Sequence, residues 1–150
     1  MQKKFLFALI SVFSLLLFSC DKEDADDFNH EHFEPTKWVF ALNGETYLEI
    51  DNGSITNNFN SEIVLNNIDS LTKFKIIFYD ESGLKIDLHE DNSIAWKVED
   101  ETIAKLSKLD EKGQEFCISA IQKGTTKITF YINHDDHSDI TSPQINVVVN

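Results

Sequence analysis

Short apolar runs that alternate with polar residues, each closed by a turn signal, constrain this chain to β structure. Residues Ile128, Phe130 and Ile132 fall on one side of an extended segment, as do Ile145, Val147 and Val149, and Phe74, Ile76 and Phe78. Successive side chains of a strand point to opposite faces, so this period of two predicts strands with one buried face. Runs at 37–42, 45–50, 62–65, 72–79, 84–88, 94–99, 103–106, 115–121, 125–133 and 144–149 read the same way. Asn43-Gly44 between the first two is a strong hairpin signal, and Asp51-Asn52-Gly53 and Asp80-Glu81-Ser82-Gly83 mark further turns. No window carries a 3.6-residue period with caps. Eight to ten such strands predict an all-β antiparallel sandwich of two sheets.

Composition limits the rest. The chain has 150 residues, 41% of them hydrophobic, enough for one packed core. Its 13 basic residues are all lysine, and 26 acids bring the net charge to −13. Nucleic acid is excluded as a partner, because phosphate binding requires a basic footprint. Two cysteines make no disulfide framework, and Cys117, inside a strand pattern, reads as a small packed side chain.

The N-terminus carries an address. Lys3 and Lys4 precede an apolar run over residues 5–18, whose 14 residues would span about 21 Å as a helix, short of the roughly 30 Å hydrocarbon core. Residues 1–19 therefore read as a cleaved signal peptide. Leu17-Phe18-Ser19-Cys20 resembles the lipobox of bacterial lipoproteins, which implies cleavage before Cys20 and acylation of that residue. Two or three acyl chains suffice for stable membrane anchoring. Cleavage removes Lys3 and Lys4, leaving 11 lysines against 26 acids and a charge of −15. Residues 20–33 then form an acidic tether, whose stretch from Asp21 to Phe33 reaches at most about 45 Å when extended. Acids directly after the cysteine resemble the surface-export signal of Bacteroidota lipoproteins, which implies an outer-membrane protein displayed at the cell surface, with the periplasmic face as the alternative.

Residues 34–150 carry two further resemblances. Ile94-Ala95-Trp96-Lys97-Val98, Ile103-Ala104, Ile118-Ser119-Ala120-Ile121, Gly124-Thr125-Thr126-Lys127-Ile128-Thr129-Phe130 and the closing Val147-Val148-Val149 resemble group 2 bacterial immunoglobulin-like domains. That resemblance implies an immunoglobulin-like sandwich, with Trp96 as a core anchor and Gly124 in a tight turn. The stretch from His134 to Ile145, with Phe78-Tyr79-Asp80-Glu81-Ser82-Gly83, is similar to a group of small His/Asp-containing bacterial lipoproteins without a settled activity.

Histidine supplies the one chemical constellation. All five histidines stand beside acids: His30-Glu31-His32 with Glu34, His89-Glu90-Asp91, and His134-Asp135-Asp136-His137 with Asp139. Neutral imidazole and carboxylate suit Zn²⁺ and related divalent ions. His30 and His32 on an extended strand would stand about 7 Å apart and need a bend to share an ion. His134 and His137 lie in a loop between strands, where a turn can bring i and i+3 together. The candidate ligands are therefore His134, His137, Asp136, His30 and His32, for Zn²⁺ or another divalent metal, with His89 a further contributor. No Gly-x-Ser-x-Gly, phosphate-cradling glycine loop or His-Glu-x-x-His occurs, so nothing points to an enzyme. The expected role is an accessory binding module: metal capture, or delivery to an outer-membrane transporter. The competing expectation is a structural or adhesion module that binds a protein or glycan without metal.

Overall fold

The computed structural model describes residues 33–135 and 137–150. Twelve strands and no helix occur among them: β1 (Lys37–Leu42), β2 (Glu45–Asp51), β3 (Ser54–Ile55), β4 (Glu62–Leu65), β5 (Leu71–Tyr79), β6 (Lys85–Ile86), β7 (Asn92–Val98), β8 (Ala104–Lys108), β9 (Glu115–Ala120), β10 (Gly124–His134), β11 (His137–Thr141) and β12 (Ile145–Val149). They form two sheets. The larger runs β3-β2-β1-β5-β9-β8, with β6 beside β5; in the smaller, β11 and β12 lie end to end along one edge of β10, β4 lies beyond β12, and β7 takes the other edge of β10. The fold is the expected all-β sandwich of two sheets, with one departure from antiparallel order: β12 pairs with β4 in parallel, Val147 against Ile63.

The alternating rows fill the space between the sheets. Phe74, Ile76 and Phe78 from the larger sheet face Ile128, Phe130 and Ile132 from the smaller, all at most 1% exposed. The centre is aromatic. Phe130 packs 5.1 Å from Phe40 and 5.3 Å from Phe116, centroid to centroid, and Phe116 stacks on Phe74 at 5.9 Å. Such pairs add about 0.5–1.5 kcal/mol each beyond the burial of area. Asn43 and Gly44 both take positive φ (54° and 85°), the type I′ geometry that matches strand twist between β1 and β2.

Strand β10 is long because its one edge serves two partners in succession. Gly124–Ile128 pairs with β12, and Tyr131–His134 pairs with β11. Ser142 bridges the gap between those two partners. Its amide donates to Phe130 O at 2.9 Å, and its buried Oγ accepts from Phe130 N at 2.9 Å. On the opposite edge, β7 runs beside residues 128–134 and is itself capped by the 109–114 loop, where Ile94 N donates to Lys112 O at 2.7 Å. The outer edge of β4 is met by Tyr47, whose hydroxyl accepts from Val64 N at 3.0 Å.

Several expectations need correction. Phe33, assigned to the tether, is 4% exposed and packs edge-on against Phe78 at 5.2 Å, so the body begins at least one residue earlier than expected. Trp96 is only half-buried, at the rim of the core beneath Lys108, whereas Trp38 is the tryptophan sealed inside. Gly124 opens β10, opposite Val149, rather than forming the turn before it. Cys117 points to the outer face of the larger sheet, opposite Lys73 and Ser107, and is half-buried rather than in the core. The expected 84–88 strand shrinks to two residues, and β11 was not foreseen at all.

Candidate metal centre

His134 is the last member of the inward row of β10. The alternation Ile128, Phe130, Ile132, His134 carries the imidazole past the end of the packed core, where its side chain is 18% exposed. Residues 134 and 137 pair directly across the hairpin, which puts both imidazoles on one face. Asp135, in the turn between them, adopts φ of 51°. The rings approach edge to face, with centroids 5.7 Å apart. His134 and His137 are therefore strand residues flanking a tight turn, rather than members of a longer loop.

The third group arrives by a fault in the ladder. Pairing passes from Ile132–Ile140 to Asn133–Ser138, leaving Asp139 as the extra residue of a β-bulge. Bulges bend a strand and re-aim its side chains. Alternate residues of a flat strand stand about 7 Å apart, too far to share an ion. Here Asp139 Oδ1 lies 3.0 Å from His137 Nε2, and its side chain is 17% exposed although the residue as a whole is exposed. His134, His137 and Asp139 each offer a donor atom, all within 4.8 Å of one another. Asp135 Oδ2 stands 4.0 Å from His134 Nε2, which adds negative charge at the rim.

The surrounding structure fixes the hairpin base. Asn92 pairs with His134 across the β7–β10 ladder, and Asp135 N donates to Asp91 O at 3.4 Å. Lys112 Nζ donates to the carbonyls of Leu88 and His89, both at 2.9 Å, and pins the neighbouring loop. The His89 ring turns to Phe33, with centroids 5.9 Å apart, and does not join the donor group. Of the residues expected to bind metal, the structure thus unites His134 and His137. Asp136, His30 and His32 lie outside the described residues, as do Cys20 and the signal segment 1–19. Asp139 was visible in the sequence only as a neighbouring acid, because nothing in His-Ser-Asp-Ile-Thr announces a bulge.

Comparison with known proteins adds little beyond shape. No family model matches the sequence, and no curated protein matches it. Among solved structures, the chain is similar to domains 4 and 5 of the S-layer protein SbsC, with a TM-score of 0.45 and 15% identity over 77% of this chain. It spans 53% of that structure, about half its length. SbsC domains 5–6 follow, with a TM-score of 0.44, 16% identity, and coverage of 61% of this chain and 40% of that one. SbsC domains 4–9 give a TM-score of 0.45, 13% identity, and coverage of 75% and 22%.

Proposed function

We propose that the chain is a non-catalytic, lipid-anchored accessory module of the outer membrane, displayed at the cell surface, that captures a divalent metal ion for delivery to a membrane transporter. The observation that carries the metal reading is the convergence of His134, His137 and Asp139 donors within 4.8 Å. The lipobox-like Leu17-Phe18-Ser19-Cys20 carries the anchoring, through acylation of Cys20. Calorimetric titration of the chain from Asp21 onward with Zn²⁺ and with Cu²⁺ tests the first part. Submicromolar binding that disappears in a His134→Ala/His137→Ala double variant supports it; no heat, or heat untouched by the substitutions, removes it. Mass spectrometry of the mature N-terminus tests the second, since an unacylated Cys20 is incompatible with the anchor.

A structural or adhesion role without metal has its own support. Ile68, Leu71 and Ile121 are 42%, 71% and 41% exposed, on segments joined by the Asp69 N to Ala120 O bond at 2.8 Å. Exposed aliphatic clusters often mark contact surfaces. A silent titration would leave this reading in place.

A further inference from the structure

The edges of the two sheets are unequally guarded. The edge of β7 carries the 109–114 loop, through Ile94 N to Lys112 O at 2.7 Å, and the edge of β4 meets the Tyr47 hydroxyl at Val64 N. Strand β3 has only two residues, and a bulge bends β11. Strand β8 is different. It pairs with β9 in unbroken register over Ala104–Lys108, and no strand lies beyond it. Ile121 N donates to Ile103 O at 2.9 Å and Leu109 N to Glu115 O at 2.8 Å, so the odd-numbered residues of this ladder bond to β9. The N–H and C=O groups of Ala104, Leu106 and Lys108 therefore point away from β9, and nothing among the described residues meets them.

Such an edge is a template for another strand, and lysines on it usually keep strands off. Their positions decide what can pair. Residues 104, 106 and 108 are symmetric about Leu106, so a second copy of β8 running antiparallel meets all three with its own three. Each pair then exchanges both of its N–H···O bonds. In that register Lys105 stands opposite the second copy's Ser107 and Lys108 opposite its Ala104, so no lysine faces another. The register that sets Lys105 against Lys105 uses only two of the three open residues and opposes like charges. Antiparallel order also brings Lys108 to the end of the other strand that follows Asp100 and Glu101, which places opposite charges at both ends. We propose that β8 is a self-association edge, at which two copies pair antiparallel about Leu106 and join their larger sheets into one across a two-fold axis. This goes beyond the metal reading and does not depend on it. A five-residue edge buries far less than the roughly 1,200–2,000 Å² of a stable interface, so the contact is weak, with a Kd of about 10 µM–1 mM.

The test is sedimentation equilibrium of the chain from Asp21 onward, which keeps every residue of the described core, from Phe33 to Val149. EDTA and a reductant are present, so that neither the histidine hairpin nor Cys117 bridges two copies. A monomer–dimer equilibrium that tightens with added salt is expected, because salt screens the repulsion between two acidic bodies. Ser107 is exposed, which makes it a position that leaves the fold alone when changed. Two symmetry-related cross-strand charge pairs shift the constant by about 2- to 30-fold. Ser107→Glu should tighten the dimer by that factor although it makes each copy more acidic, and Ser107→Lys should loosen it although it makes each copy less so. Amide exchange at Ala104, Leu106 and Lys108 should slow as concentration rises. No dimer at about 1 mM, substitutions that follow net charge instead, or exchange at those amides that ignores concentration would overturn the proposal. So would amides slowed only by an added acidic strand, for which a peptide of alternating Glu and Val is the probe. None of these results touches the calorimetric test of metal binding, so the two readings fail separately.

Discussion

Substituting Gly113 by alanine should destabilise the sandwich far more than the same change at Gly83. Both residues have nearly equal positive φ, 76° and 80°, so both substitutions incur the left-handed penalty of about 1–2 kcal/mol. Only at Gly113 does space also run out. A Cβ there would lie 2.7 Å from the backbone oxygen of Ile94, whereas at Gly83 it meets nothing within 4 Å. Relief requires the 109–114 loop to lift from β7, which weakens the Ile94 N to Lys112 O bond of 2.7 Å beside a fully buried side chain. Leaving that buried amide unpaired costs about 1–3 kcal/mol. Gly113→Ala should therefore cost about 2–5 kcal/mol, against about 1–2 for Gly83→Ala, out of the 5–15 kcal/mol typical of a domain. Urea unfolding at constant m reads the difference as a separation of midpoints. Coincident midpoints for the two variants would show that the loop does not cap β7 as tightly as the contact implies.

Ser142→Ala should cost about 1–3 kcal/mol, because Phe130 N then loses its Oγ acceptor in a buried setting; a change below 0.5 kcal/mol by urea unfolding would mean that this amide finds water instead. Tyr47→Phe should cost only about 0.5–1.5 kcal/mol, since the site is half-buried, but it should speed hydrogen exchange at the Val64 amide; unchanged exchange would place the protection elsewhere. The Glu115 carboxyl is held below the usual range, first by its hydrogen bond to Lys73 and then by that to Lys75. A carboxyl lowered in the folded state stabilises fully above its unfolded value of about 4.3 and loses that contribution as pH falls through the folded value. The stability gap between the wild type and Glu115→Gln should thus be flat from pH 8 to 5 and close below about pH 4 in urea unfolding; a gap constant to pH 3 would refute the coupling.

The core was legible because burial on one face leaves a period of two, and the rows through Phe74, Ile128 and Ile145 needed nothing else. The pieces that escaped share a cause. Every residue of β11 is exposed or half-exposed, so it leaves no hydrophobic row to detect; it pairs with β10 and sends only Ile140 against the core among its described residues. Its bulge is a property of pairing rather than composition, and for that reason Asp139 could not be ranked above its neighbouring acids. Phe33 looked like tether because the acids before it dominate its surroundings, yet one aromatic ring against Phe78 outweighs them locally. Trp38 and Trp96 both sit in strand patterns; which one seals the interior depends on what the opposing sheet places over it.

Strand β10 also acts as a ruler. The steps from Ile128 to His134 measure out where hydrocarbon ends and water returns, and the first imidazole stands on the mark just past that line. One residue inserted between Ile132 and His134 would turn the ring to the opposite face of the sheet, away from its companions. Two would restore its facing but carry it roughly 7 Å farther from the body, beyond the support of Asn92. Parity chooses the side on which the nitrogens appear, and length chooses how dry they are, so a shift in phase would scatter this donor group with every donor residue still present.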